Sequence, residues 1–415
     1  MSKVTLTNTY ERYPEYKDSG VEWLGEIPKN WTIESSKRIF KEKNVRGEKG
    51  LELGSVTQDK GIVLRSESEL SVWNPQGETD GYKTIREGEF VLSLRSFEGG
   101  VEFSSVDALV SPAYTVMQLS KKHSKRFFRW LLKSDNVISA LQIHTRGIRQ
   151  GKNISFQDFS KIDLVLPPKP EQENIARFLD KETERIDSII AKKQRLIELL
   201  KEKRTATINH ALVNIKGSEV KLKQVTQINP SRKIPNEVND STIVSFVPME
   251  AISDSGELSL QNRKYGNVKN GFTYFENGDV VLAKITPCFE NGKAGVMSGL
   301  KNAFGFGTTE FIVLRPNEKI VADYLYLVVY SDEFRSKGEA AMKGVAGQKR
   351  LNILFLKNYQ FPLPDLVTQK KVVASIKESL RRQGETKSQI EKSVNQLQEL
   401  KSSLISHAVT GKIKV

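Results

Sequence analysis

The sequence predicts an α+β chain built as a tandem repeat, in which two mixed α/β domains are each followed by a long helix. Three observations carry that expectation. The chain matches itself at a nearly fixed offset, the front of each copy reads as short strands bounded by turn residues, and the back reads as one extended amphipathic helix. With 415 residues there is room for two or three domains, each with its own core. Hydrophobic residues at 38% and charged residues at 27% argue against a disordered or fibrous chain.

A shift of 197 positions aligns Leu166 and Pro167 with Leu363 and Pro364, Gln172 with Gln369, Leu200 with Leu397, Ile208 with Ile405, and His210 and Ala211 with His407 and Ala408, without a gap. The same shift carries Ser134 and Asp135 onto Ser331 and Asp332, and Gly147 and Lys152 onto Gly344 and Lys349. Towards the front the offset falls to 192 for Phe97, Glu98 and Gly100 against Phe289, Glu290 and Gly292, then to 190 for Gly88, Val91 and Leu92 against Gly278, Val281 and Leu282. Insertions are therefore expected in the front parts only. The repeat divides the chain into a first domain over 1–165, a helix over 166–215, a second domain over 216–362 and a second helix over 363–415.

In the front parts, Glu89-Phe-Val-Leu-Ser-Leu, Ala113-Tyr-Thr-Val-Met and Phe311-Ile-Val-Leu are short, rich in β-branched and aromatic residues, and flanked by Gly, Pro or Asn, as strands are. Phe127 to Leu132 and Tyr324 to Tyr330 read as helix or buried core. Ala303-Phe-Gly-Phe-Gly reads as a two-glycine turn beside a strand, with Asp107-Ala-Leu-Val as its repeat partner.

In the back parts, Ile175, Leu179, Ile186, Ile190, Ile197, Leu200 and Ile208 recur at helical spacing behind the Pro-containing Leu166-Pro-Pro-Lys-Pro-Glu-Gln. Asp and Glu come early in this helix and Lys and Arg late, as the helix dipole favours. In the second copy Ile390, Val394, Leu397, Leu404 and Ala408 keep the four-and-three spacing of a coiled-coil seam, broken only at Lys401. A helix of about 28 residues would extend roughly 40 Å, more than a domain of this size requires. The competing reading is an ordinary amphipathic helix packed on its own domain.

The formal net charge of +14 is what a phosphate backbone attracts. Residues 171–213 hold nine basic and eight acidic side chains, and 369–410 hold eight and four, so the helices carry only five of the fourteen surplus charges. Most of the surplus belongs to the front parts. The N-terminal stretch has no signal-peptide core, no apolar run reaches bilayer-spanning length, and a single cysteine, Cys288, excludes an internal disulfide and a Cys-rich zinc site. A cytoplasmic protein without a membrane partner is expected.

The sequence offers no catalytic apparatus. It has no phosphate-binding Gly-rich loop, no Asn/Asp-Pro-Pro-aromatic tetrapeptide of amino-methyltransferases, and four histidines, His123, His144, His210 and His407, without metal spacing. No metal and no cofactor are expected in this chain. Basic and amide side chains recur instead at matched places in both halves. The first pair of segments offers Lys83, Arg86, Arg95 and Ser96 against Lys284 and Thr286. The second offers Arg146, Arg149, Gln150, Lys152 and Asn153 against Lys343, Gln348, Lys349 and Arg350. Arg, Lys, Gln and Asn read guanine and adenine edges or clamp phosphates, and glycines among them let a backbone approach closely. All fifteen are candidate DNA contacts. Solvated turns are the plainer reading of any one such loop, but their twofold recurrence with differing tips fits two readers of different sequences.

The chain resembles the specificity subunits of type I restriction and modification enzymes. The resemblance is carried by Tyr16-Lys-Asp-Ser-Gly-Val-Glu-Trp-Leu-Gly-Glu-Ile-Pro-Lys-Asn-Trp31, by the Leu166–Asp180 opening of the first helix, and by His407-Ala-Val-Thr-Gly-Lys-Ile. Thr368 replaces the acidic residue in the second opening, a departure from the pattern. The resemblance implies two target-recognition domains that each read half of an asymmetric bipartite double-stranded DNA site. It implies that they are separated by two long antiparallel coiled-coil helices in a pseudo-twofold arrangement, the helices acting as a ruler. It further implies two methyltransferase (modification) subunits docked on those helices, with Ile186, Ile190, Ile197, Leu200, Ile390, Val394, Leu397 and Leu404 as candidate partner-binding positions. Restriction subunits would join for cleavage, and adenine methylation from S-adenosylmethionine would be performed by the partners. A free-standing bipartite DNA-binding repressor or adaptor, and a chain that itself modifies DNA, are the alternatives.

Overall fold

The computed structural model describes residues 10–58, 60–67, 79–93, 96–145, 154–213, 215–253, 256–345 and 349–415. They form two compact units, one of residues 1–192 with 393–415, the other of 193–392. The long helices are Lys169–Leu212 and Leu366–Val409, each of 44 residues, and both their starts and their ends are 197 positions apart. At about 66 Å by the helical rise they outrun the roughly 40 Å stretch of apolar spacing, and they lie within the stretches 166–215 and 363–415 marked out by the repeat. The apolar stripe thins between Lys377 and Thr386, where ion pairs one turn apart take over: Arg381 with Glu378 and Glu385, and Arg382 with Glu378. Charge pairs sustain a helix there that hydrophobic spacing alone does not reveal. The helices run antiparallel, since Asp187 pairs with Lys401 in the first unit and Thr207 with Gln383 in the second.

The first unit holds an antiparallel sheet in the order Phe40–Lys43, Thr115–Leu119, Phe90–Leu92, Glu102–Phe103. The second unit repeats it strand for strand: Thr226–Ile228, Phe311–Pro316, Val280–Ala283, Ala294–Val296. Beside it, the second unit has a four-stranded sheet ordered Gln261–Lys264, Ile243–Val247, Phe304–Gly307, Thr273–Glu276, with the two middle strands parallel. In the first unit the counterparts are two ladders, Gly54–Thr57 with Gly61–Leu64 and Ala108–Val110 with Lys83–Ile85, linked by a parallel bridge between Leu53 and Leu109. The difference in strand pairing thus falls in the front parts.

Phe304-Gly-Phe-Gly corrects one expectation. It is a fully buried strand, not a turn. A Cβ on Gly305 would meet the Ser245 carbonyl oxygen at 2.9 Å, and one on Gly307 would meet that of Val247 at 2.6 Å. The glycines admit a neighbouring strand that any side chain would push away.

Two buried glutamines show the repeat at atomic detail. Gln172 accepts from the Ser124 backbone N–H at 2.9 Å and donates to the Pro167 carbonyl at 2.8 Å. Gln369, its counterpart, accepts from the Val321 N–H at 2.8 Å and donates to the carbonyls of Pro364 and Lys319, both at 2.9 Å. Each amide thereby ties the start of a long helix to the start of a domain helix, Lys125–Leu131 or Ala322–Tyr330. Ser134 and Ser331 repeat likewise, each hydroxyl donating to a carbonyl three residues back, Leu131 or Val328, at 2.7 Å.

The first unit also joins the two most distinctive motifs of the sequence. The Tyr16 hydroxyl donates to the Gly411 carbonyl at 3.0 Å, the Lys412 ammonium to the carbonyls of Leu24 and Glu26, and the Lys414 N–H to the Glu11 carbonyl at 2.8 Å. Gly411 has φ +72°, and a Cβ there would lie 2.4 Å from Pro28 and 3.1 Å from Trp31. Only glycine fits that position.

Candidate nucleic-acid interface

In the second unit the buried strand Val280–Ala283 delivers Lys284 to the surface. Its backbone then pairs with residues 349–351. The Leu351 N–H donates to the Lys284 carbonyl at 2.7 Å, Ile285 bridges Arg350, and the Thr286 N–H donates to the Lys349 carbonyl at 3.2 Å. The Thr286 hydroxyl accepts from the Lys349 N–H at 3.1 Å. Lys343 and Arg350 bridge antiparallel, closing a loop whose tip includes Val345, 75% exposed. Five sequence-predicted residues, Lys284, Thr286, Lys343, Lys349 and Arg350, are thus brought to one place. Gln348 lies outside the described residues.

Glu310 organises part of this cluster, and no motif or spacing points to it. It receives Arg350 at 3.0 Å and Lys284 at 3.6 Å, and the Arg350 hydrogen bond holds its carboxyl below the ordinary carboxylate range. The Lys284 ammonium also donates to the Thr309 carbonyl at 2.7 Å. Among the described residues, Lys343 and Lys349 are exposed and in no salt bridge. A second basic and amide surface is the edge strand Gln261–Lys264, exposed at all four positions, with the Arg263 guanidinium 3.9 Å from the Phe246 ring centre. Its Gln-Asn-Arg-Lys run is legible in retrospect as a polar strand.

The first unit uses its matched residues differently. Lys83 is buried on a strand and donates to the Tyr114 carbonyl at 2.6 Å, and burial pulls its pKa down. Arg86 is held between Asp107, at 2.7 Å, and Glu48. Ser96 is buried at the start of the short helix Ser96–Gly99 and accepts from the Ser93 N–H at 2.8 Å. The structure gives all three intramolecular partners in place of exposed tips. Arg95, Arg146, Arg149, Gln150, Lys152 and Asn153 lie outside the described residues.

The helix positions expected to receive partners are turned inwards. Ile186, Ile190, Val394 and Leu404 are buried in the core of the first unit with Leu397 packed against it, while Ile197, Leu200 and Ile390 are half-buried. The four buried positions are taken up by the core of their own unit and offer nothing to a third chain, whereas the half-buried ones keep part of their surface. Leu196 and Leu199 of the first long helix are exposed, each one residue before a position chosen for the seam. Among the described residues no cluster of histidine, cysteine and carboxylate suits a metal ion, and no helix is long and apolar enough to cross a membrane.

Residues 60–199 and 215–396 match the family described as the type I restriction modification DNA specificity domain, once for each copy of the repeat. The chain belongs to this family. The type I enzyme EcoAI specificity subunit of Escherichia coli is 42% identical to this specificity chain over 155 residues, 37% of its length and 26% of the relative's. The EcoEI specificity subunit of the same species is 41% identical over 159 residues, 38% and 26% of the two lengths. These matches span about a quarter of either relative. A solved chain of a type I R-M system covers 92% of this specificity chain and 98% of itself, with TM-score 0.62 at 15% identity, and so shares its fold.

Proposed function

We propose that this chain is the noncatalytic DNA-recognition subunit of a type I restriction-modification complex. Its two domains each read one half of an asymmetric bipartite site and direct adenine methylation and cleavage by partner subunits. The observation that carries the reading is the frame used twice with different tips. Both units anchor their domain helices through the same buried glutamine, yet the loops beyond the shared strands differ in length and side chains. A reader of two unlike half-sites needs a common scaffold and unlike tips.

In the second unit, Lys343 and Lys349 serve as phosphate contacts, and the edge strand Gln261–Lys264 offers side chains suited to base edges. The partners in this reading are double-stranded DNA, two methyltransferase subunits that bring S-adenosylmethionine, and restriction subunits. Its place is the cytoplasm, where chromosomal DNA is met. The experiment is to replace one front domain by that of a relative and sequence the methylated sites of a host carrying the whole complex. One half of the recognised sequence changes and the other persists; a change in both halves, or methyl transfer by the purified chain alone, overturns the reading. Lys349→Ala lowers affinity across all sequences and flattens the salt dependence by about one unit of slope.

A further inference from the structure

The repeat makes it possible to ask which surfaces are covered in one copy and bare in the other. In the first unit the end of the second long helix is sealed: Val409 and Thr410 are 0% and 2% exposed. Their counterparts in the second unit, Leu212 and Val213, are half-buried and 56% exposed. The difference has a visible cause. The N-terminal segment lies over the first site, with Pro28 and Trp31 against Gly411, the Lys412 ammonium on the carbonyls of Leu24 and Glu26, and Asn136 donating to the Trp23 carbonyl at 3.4 Å.

The second copy has no such segment. Its first strand, Ser218–Lys221, is the counterpart of Thr32–Ser35 and begins within six residues of Leu212. What remains is a groove of about 450 Å³ lined by Leu212, Val213, Tyr324, Val328, Tyr359 and Phe361. The floor is closed in both units, Tyr324, Val328, Tyr359 and Phe361 at 1–6% exposure and their counterparts Phe127, Leu131, Ile162 and Leu164 at 1% or less, so the bare surface is that of the helix end, Leu212 and Val213. The rim differs in charge as well. Glu333 stands where Asn136 stands in the first unit and holds only an exposed pair with Lys337, and Ile215 replaces Lys412. A peptide carbonyl facing Glu333 would be repelled, whereas a cation would be attracted.

We propose that this groove is the docking seat for an extended segment of a partner protein. The segment carries an aromatic or branched apolar anchor and, where the N-terminal segment presents its Trp23 carbonyl, a lysine or arginine set against Glu333. The proposal is independent of the DNA reading, because it uses the helix end and not the loops. It commits against a second copy of this chain, whose own N-terminal segment lacks the required cation at that point.

The test uses two fluorescent peptides with the sequence of residues 10–31, one natural and one carrying Glu22→Lys, titrated by anisotropy into the full chain. The lysine peptide is expected to saturate and to bind roughly fivefold more tightly than the natural one. Glu333→Lys reverses that preference, and Val213→Asn weakens the lysine peptide by roughly threefold or more; both positions are exposed, so folding is retained. Failure of the lysine peptide to saturate, or binding that ignores both substitutions, overturns the proposal. Tighter binding of the natural peptide also overturns it, by assigning the groove to a second copy.

Discussion

Lys401 in the first unit reaches Asp187 at 2.7 Å, with both side chains partly exposed. Its counterpart in the second unit, Arg204, is buried; it donates to the Tyr326 hydroxyl at 3.2 Å and lies 5.5 Å from the Tyr330 ring centre. The reason lies in what faces each cation. Tyr326 and Tyr330 correspond to Arg129 and Lys133, so a cation in the first unit finds like charge where the second finds rings. Asp187 corresponds to Gly384, where a Cβ would come within 2.8 Å of Glu257. One frame therefore accepts a solvated ion pair or a buried stacked arginine. What the copies keep is the backbone-anchoring amides and caps; what they exchange is side-chain partnership.

That contrast can be pressed hardest at Trp31, which the second copy lacks. Trp31→Ala removes the cover of the second long helix's end in the first unit and should cost about 3–5 kcal/mol. Hydrogen exchange should then rise at residues 10–31 and 404–413 while the core of the second unit keeps its protection; equal loosening of both units would break the comparison. Next in size, Arg204→Ala should cost about 2–4 kcal/mol, from a charged hydrogen bond and a ring contact. Lys401→Ala should cost under about 1 kcal/mol, as exposed pairs do. Denaturant titration of both variants measures the gap, and equal losses would show that burial does not distinguish the two cations.

Gln172→Leu and Gln369→Leu each strand a backbone N–H and should cost about 1–3 kcal/mol apiece. Here the sharper expectation is near-parity, since both amides accept from a domain-helix N–H and donate to the proline carbonyl, Gln369 adding only the Lys319 carbonyl; a disparity above about 1 kcal/mol would show that the frame is not equally strained in both units. The smallest effect is at Glu310, whose carboxyl is held low by Arg350. A depressed folded pKa means that the contribution is present above the unfolded value and is lost as pH falls through the folded one. The Arg350 side-chain resonance should therefore shift on acidification below pH 4.5, and Glu310→Gln should abolish that titration.

The repeat, the helices and the basic character of the loops were legible because they rest on spacing and composition. Offset 197 is written in Gln172 and Gln369 before any coordinates are known. Apolar spacing by itself understates the helix lengths that the repeat marks out, because ion pairs such as Arg381 with Glu378 sustain a helix that apolar periodicity abandons. Nor could the sequence separate an exposed cation from a committed one. Lys83, which opens the strand Lys83–Ile85, and Lys284, which follows the strand Val280–Ala283, both read as candidate contacts, yet one is buried against Tyr114 and the other stands at the surface beside Glu310. That distinction depends on which carbonyl or carboxylate the fold brings near, a matter of long-range contact.

The closure of the first unit by residues from both ends of the sequence bears on how the protein is made. Its core contains Leu404, Ala408, Val409 and Ile413 together with Leu24, Ile27 and Trp31. The whole second unit, 193–392, is synthesised between those two sets. At about 5–20 residues per second the ribosome takes roughly 10–40 s over that interval. The second unit can close while the first still waits for its final helix, so this chain reverses the usual N-terminal-first order of domain completion. A chain halted before Ser393 would present a finished second unit attached to a first unit with an open core.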